Sequence, residues 1–344
     1  MLAAFTDLKN AQKVKKQIIQ KKAIHPDYLS LKELDHIYFP LSKKITIKNA
    51  KIVNTKFKFE LKPSKITIES ILKDKLTKKE LKIIPRSQEI IGDIMILEVP
   101  KELVKKEKDI ARAYLQLNKN IVTVVKKKTN YDGVFRTRKV KHLLGDRKKE
   151  TTNIENGAKI KLHLEEVYYS ARSASERLRI AKLVKKGESI LIMFSGAGPF
   201  PVVIGKNSSP KKIIAVELNP QGHYYADQNI KINKLDKLIT LYNKDVREIV
   251  PKLKGKFDRI AMPLPKTGEE FLDIALKKIK PKGTIHLYAF LNEKDIKDHV
   301  KKIRQICKDL KFKIRIKKQV KCGQFSPGTF RMCFDLSILE KIKK

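Results

Sequence analysis

From about residue 180 onward the sequence repeats one alternation: a short apolar run, then a longer stretch with apolar residues at helical spacing. The apolar runs are SILIMF, KIIAVEL, LITLYN, FDRIAMPL and GTIHLYAFL. Between them lie PQGHYYADQNIKINKL, VREIVPKL, TGEEFLDIALKKI and EKDIKDHVKKIRQICKDL. A strand that is apolar along its whole length has to be covered on both faces, so the runs predict parallel strands with helices on either side. No other feature constrains the fold as tightly. It calls for an open, doubly wound α/β sheet whose ligands bind at the carboxyl ends of the strands. The closing segments FKIRIKKQV and FRMCFDLSILE predict an antiparallel hairpin at the sheet edge.

The preceding half is patterned differently. Residues 1–65 read as a small α/β module: DLKNAQKVKKQIIQKKAI has helical spacing, whereas HIYFPLS and KITIKNAKIVNTKFKFEL alternate as strands do. Residues 66–165 are mixed, with helical TIESILKDKLTKKELKII and EKDIARAYLQLNK, and strand-like DIMILEVP, NIVTVVKKKTN and KIKLHLEEVYYS. A chain of 344 residues with 41% hydrophobic content can fill several cores, and three domains are expected: 1–65, 66–165 and 166–344. No apolar run approaches the roughly 18–20 residues of a membrane span. The start MLAAFTDLKNAQKVKKQ lacks a signal-peptide layout, so a cytoplasmic protein without a membrane partner is expected.

Lys plus Arg number 78 against 37 Asp plus Glu, an excess of +41 that attracts polyanions. Lysine enrichment also accompanies adaptation to heat. Because the lysines are spread over all segments instead of one amphipathic face, nucleic acid is the expected partner ahead of a lipid surface. Cys307, Cys322, Cys333 and the seven histidines are scattered without metal-ligand spacing, so no metal is expected. Nothing demands an oligomer, and a monomer is expected.

ILIMFSGAGPF, residues 190–200, places Gly196 and Gly198 directly after a strand and before a helix, where bare backbone amides can approach a ligand. Glu217 follows at the end of the next strand, where a carboxylate can accept from ribose hydroxyls, and Asp245 follows the third strand, within reach of an adenine amino group. A dinucleotide would favour GxGxxG, but here Pro199 and Phe200 stand in place of the third glycine. S-adenosylmethionine needs no pyrophosphate cradle, so the shorter turn favours it. An ordinary tight turn with surface acids is the bland alternative. At the fourth strand end, MPLP puts Pro263 where many aminomethyltransferases carry a polar residue, leaving only backbone acceptors. Just upstream, VYYSARSASERLRI brings Tyr168, Tyr169, Arg172, Glu176, Arg177 and Arg179 together. On pattern alone Glu176 pairs with Arg172 or Arg179 on a helix face, Arg136 and Arg138 in FRTR serve as phosphate contacts, and one of the two tyrosines packs inward.

The ordered run VYYSARSASER, MFSGAGPF, VELNPQGHYYADQNIKINKL, DVRE, MPLP and FSPGTFRMCFDL resembles the archaeal and eukaryotic tRNA (guanine-N1)-methyltransferases that act at position 37. YDGVFRTRKVKHLLGD and ENGAKIKLHLEEV are similar to that family's middle domain, and DYLSLKELDHIYFPL to its small first domain, so the resemblance covers nearly the whole chain. It implies a Rossmann-like class I methyltransferase domain, S-adenosylmethionine as cofactor and tRNA as partner. It further implies Glu176 as the base for guanine N1, Arg136 as the group that stabilises charge on O6, and Tyr168, with Arg138 and Arg172, as substrate contacts. Arg177, Phe194, Gly196, Gly198, Glu217, Leu218, Asp245, Val246, Pro263 and Leu264 match cofactor positions. Three residues depart from the family pattern: Ile192 replaces an Asp, Ala171 a Pro, and Pro263 an Asn. Loss of that Asn would loosen base selection, which suits the family branch that also methylates a wyosine precursor at carbon 7. The remaining readings are a methyltransferase for another RNA position and an RNA-binding protein without activity on the same scaffold, which Ile192 would permit.

Overall fold

A computed structural model describes residues 1–62 and 66–341, so the boundary expected at residue 65 lies outside the described residues. The chain divides into two compact units, Met1–Thr67 and Ile68–Lys344. In the first, an antiparallel sheet orders Leu31–Glu33, His36–Pro40, Leu2–Asp7 and Lys51–Asn54. The helix Ala11–Gln20 turns Val14 and Ile18 onto Ala4, Ile37 and Phe39. The strand pattern read in KITIKNAKIVNTKFKFEL forms only over Lys51–Asn54, and the central Leu2–Asp7 carried no advance signal.

In the second unit, TIESILKDKLTKKELKII forms two helices instead of one, Ile68–Leu72 and Lys78–Lys82. Thr77 and Glu80 make a capping box that starts the second helix afresh, the Thr77 amide donating to Glu80 at 2.7 Å. A four-stranded sheet orders Gln88–Ile91, Ile94–Leu97, Thr123–Lys127 and Val140–Gly145, with the helix Glu107–Leu117 packed on it.

The large sheet has seven strands in the order Ile239–Asn243, Lys212–Glu217, Ser189–Met193, Phe257–Met262, Ile279–Asn292, Thr329–Lys341 and Phe312–Ser326. The first five are parallel and the last two form the expected antiparallel edge. The chain leaves the central strand Ser189–Met193 toward one edge and returns to its other side at Phe257. That reversal opens a crevice at the carboxyl end of Ser189–Met193. Ile192 is fully buried in this strand, where an acid would need a buried partner.

The hairpin Glu150–Glu155 and Ala158–His163 sits on the same core: Ala158, Ile160 and Leu162 pack with Ile190 and Ile213. Asn229 and Asn233, on and at the end of the helix Pro220–Ile232, stitch it down through Lys161 and Lys159, the Lys161 amide donating to Asn229 at 2.7 Å. This shared core makes residues 68–344 one compact unit across the boundary expected at 165. Among the described residues, no helix is long and apolar enough to cross a membrane.

Candidate active site

The crevice is shaped by the turn after Met193. Phe194, Gly196 and Gly198 all have left-handed backbone, φ 62°, 57° and 78°. Glycine adopts this freely, but Phe194 is held there by its surroundings, its ring edge-on to Phe271 at 4.9 Å. Pro199 then starts the helix Pro199–Asn207 with its φ already set. The Gly196 amide points at Glu217, 2.5 Å from Oε2, while the Asn219 amide donates to Oε1 at 2.8 Å. Burial pushes the Glu217 carboxyl up, opposed by the amides of Asn219, Gly196 and Leu218. Gly222 leaves room for this carboxylate, because a Cβ there would lie 3.0 Å from Glu217 Cγ.

A cavity of about 370 Å³ fills the crevice, lined by Phe194, Gly196, Glu217, Leu218, Asp245, Val246, Pro263 and Leu264 among others. Its size and mixed lining suit a nucleoside-bearing cofactor. Ser195 Oγ is buried in the turn with no protein partner, as a ligand-facing hydroxyl would be. Asp245 also caps the next helix through the Arg247 amide at 2.7 Å. Gly198 stands apart: a Cβ there would meet that of Ala226 at 3.2 Å, so it permits close helix packing and does not line the cavity.

A second, tighter cavity of about 60 Å³ adjoins the first and shares Tyr168, Phe194, Gly196 and Pro263 with it. Glu176 lies in its wall, 3% exposed. Of its two expected partners the structure selects Arg179, which donates to both carboxylate oxygens at 2.7 and 2.8 Å, and not Arg172. The Tyr288 hydroxyl adds a bond to Oε1 at 2.7 Å. Three donors leave Glu176 Oε2 with a free lone pair.

Behind Arg179 runs a buried chain. Its guanidinium also donates to Asp335 at 2.7 and 3.1 Å, Asp335 lies 2.6 Å from His286 Nδ1, and His286 Nε2 lies 2.7 Å from Arg259. Arg259 in turn reaches Glu188 at 2.8 Å. An arginine can only donate, so His286 Nε2 is the acceptor and its Nδ1–H points at Asp335. Burial keeps His286 neutral, and the His286 and Arg179 bonds hold the Asp335 carboxyl well below the usual carboxylate range against the effect of burial. His286, Cys333 and Asp335 converge as metal ligands could, but Arg179 and Arg259 donate into that cluster and oppose a cation.

Tyr168 and Tyr169 lie after the strand, not within it, yet Tyr169 packs inward as expected. Its hydroxyl and Arg177 both bind Glu155, with Arg177 Nε 2.5 Å from Oε1. Arg177 therefore borders the tighter cavity with its charge already matched. Tyr168 instead faces the opening. Arg136 lies 4.4 Å over its ring, Arg331 donates to its hydroxyl at 2.6 Å, and Tyr131 is edge-on at 4.7 Å. Arg136 holds a left-handed φ of 51° in the FRTR turn, and its buried Nε has no partner. Burial and Arg331 lower its proton affinity, while Tyr168 supports it. Arg138 lines neither cavity: it is buried against Glu89 at 2.6 Å and over Tyr131. Arg172 is exposed on a separate hollow.

Sequence reading missed Arg179, Asp335, Tyr288, Phe290 and Arg331 as site residues. Arg179 lies on the helix Ala174–Leu183, and the others come together by strand pairing: His286, Tyr288 and Phe290 sit opposite Asp335, Cys333 and Arg331 in antiparallel register.

Comparison with known proteins gives the same site a family setting. Residues 151–315 match the TRM5/TYW2 methyltransferase domain, and residues 68–148 the TYW2 N-terminal domain. The chain is 32% identical to the tRNA (guanine(37)-N(1))-methyltransferase Trm5b of Pyrococcus abyssi, over 98% of this chain and 99% of that protein. It is also 32% identical to the tRNA (guanine(37)-N(1))/4-demethylwyosine(37)-methyltransferase Taw22 of Nanoarchaeum equitans, over 65% of this chain and 91% of that protein. Among solved structures, Trm5b from Pyrococcus abyssi has a TM-score of 0.76 at 30% identity, covering 99% of this chain and 100% of that one. The complex of aTrm5 with tRNALeu has 0.70 at 27%, covering 98% and 100%. TYW2 of P. horikoshii, in complex with MeSAdo, has 0.67 at 27%, covering 79% and 98%.

Proposed function

The chain belongs to the TRM5/TYW2 methyltransferase family, and on that premise we propose that it methylates N1 of guanine 37 in tRNA, using S-adenosylmethionine. One observation carries the reading: a buried carboxylate with a free lone pair lines the tighter cavity, and a guanidinium without a counter-ion among the described residues lines the adjoining larger one. When bound, S-adenosylmethionine supplies the electrophilic methyl group. Glu217 accepts from its ribose hydroxyls, while Asp245, Val246, Leu218 and Leu264 hold the adenine. Tyr168 stacks on the flipped guanine. Glu176 Oε2 takes the N1 proton, a step needed because guanine N1 is protonated at neutral pH. Arg136 donates to O6 as charge develops there. Residues 1–65 and the basic surface contact the tRNA, and the enzyme works as a monomer in the cytoplasm.

The deciding experiment is methyl transfer to unmodified tRNA transcripts carrying G or A at position 37, read by nucleoside analysis. N1-methylguanosine from the G transcript alone is expected, whereas equal transfer to both would overturn the assignment. A second reading is favoured by Pro263, which lines both cavities without a polar side chain to read the base edge. The same pocket would then also take 4-demethylwyosine for methylation at carbon 7. No transfer to tRNA bearing that base would eliminate it.

A further inference from the structure

Beyond the target pocket, the edge hairpin carries an aromatic ring that the proposed chemistry does not use. Phe325 lies near the tip of the hairpin between Phe312–Ser326 and Thr329–Lys341, 49% exposed despite its size. Its inner face is stacked on Phe290, with centroids 4.0 Å apart and planes inclined 27°. Phe290 in turn lies under both Arg136 and Arg331, each 5.4 Å from its centroid, and these two guanidinium groups hold Tyr168. Two stacked rings, then two guanidinium groups, then the Tyr168 ring thus run from solvent inward to the site where the target base stacks.

The exposed ring borders a hollow of about 460 Å³ shared with Arg86, Lys127, Arg172 and Gln324. Lys127 is paired with Glu98 at 2.8 Å and Arg86 with Glu69 at 3.5 Å, but the Arg172 side chain has no acceptor among the described residues. An exposed aromatic face beside an unmatched guanidinium fits one chemical class: a single-stranded nucleotide, its base stacked and its phosphate paired. A base leaving its stack also exposes its neighbours, which gain by restacking on protein.

We propose that Phe325 and Arg172 form a subsite for a nucleotide flanking the methylated base, Phe325 stacking on its base and Arg172 pairing with its phosphate. This subsite deepens the tRNA reading and rests on it. Phe290 fixes the angle of the outer ring and ties the subsite to the target pocket.

The test uses the full chain and an unmodified tRNA transcript with 2-aminopurine placed in turn at each nucleotide flanking the target. Wild-type enzyme should quench one of the two on binding, as stacking requires. Phe325→Ala should abolish that quench and raise KM for tRNA about tenfold, with kcat changed less than about threefold. Phe325→Tyr should restore both values, which separates lost stacking from a misfolded hairpin. Arg172→Ala should raise KM, flatten its salt dependence and leave the quench in place. A wild-type KM in Phe325→Ala, or quench at neither position, overturns the subsite. Failure of methyl transfer by the wild type would refute the activity instead, because the fluorescence titration reads binding without turnover.

Discussion

Two groups of arginines meet at this site, and they are kept in opposite electrostatic states. Behind the pocket, Arg177, Arg179 and Arg259 each face a carboxylate in near-ideal geometry, with Glu155, Glu176, Asp335 and Glu188 as partners. Before it, Arg136 and Arg331 face rings and hydroxyls, and neither pairs with a carboxylate among the described residues. A guanidinium desolvated without a counter-ion is costly to the fold. The first group therefore serves the protein's own structure, and the second keeps its charge for a negatively charged substrate. Glu176 belongs to both, anchored by the matched arginines and open to the unmatched side.

This contrast breaks most visibly at Arg177. Arg177→Ala leaves Glu155 buried without a counter-charge, bonded by the Tyr169 hydroxyl, and should destabilise the protein by about 3–5 kcal/mol, measured as a lower midpoint in urea. An unchanged midpoint would show that the pair contributes nothing net. Arg136→Ala should do the reverse. It should cut kcat by about 100-fold while the melting temperature holds or rises, because a desolvated charge is removed. Loss of stability alongside activity would put Arg136 with the structural arginines. Glu176→Gln keeps the shape and removes the base, so a fall in kcat of about 100-fold with tRNA affinity retained is expected. Full activity in that variant would end the base assignment.

The sequence made one half of this site readable and hid the other. SILIMF, KIIAVEL and FDRIAMPL are apolar enough to report a sheet covered on both faces, and chain order alone puts the glycine turn and Glu217 at adjacent strand ends. Pattern also allowed an Arg179 partner for Glu176, since three positions separate them on one helix. Arg331, Tyr288 and Asp335 gave no such local sign. Arg331 and Asp335 come beside Tyr288 only because the last strand pairs antiparallel with Ile279–Asn292 in one register, and a slip of one residue would send both to the opposite face. Pattern offered Arg136 as a phosphate contact and family resemblance alone gave it a role at O6, as a left-handed turn residue has no periodicity to place it. The two helices of TIESILKDKLTKKELKII were merged because the apolar spacing continues across the Thr77 cap.

The smallest effect concerns the other carboxylate of the site. Asp335, whose charge is matched by Arg179 and which accepts from the neutral His286, is held below the ordinary range, whereas Glu217, met by backbone amides, is pushed above it. An ionised Glu217 can accept a ribose hydroxyl on each oxygen, and a protonated one gives up an acceptor to become a donor. Affinity for S-adenosylmethionine should therefore be full at neutral pH. It should weaken on acidification from a pH above the ordinary glutamate value of about 4.3, since the raised carboxyl takes up its proton early. Calorimetric titration between about pH 8 and pH 5 should show a several-fold loss for the wild type. Glu217→Gln should bind about tenfold more weakly at neutral pH and show a flatter profile. Identical pH profiles for the two proteins would mean that Glu217 shapes the turn through the Gly196 and Asn219 amides and takes no part in holding the ribose.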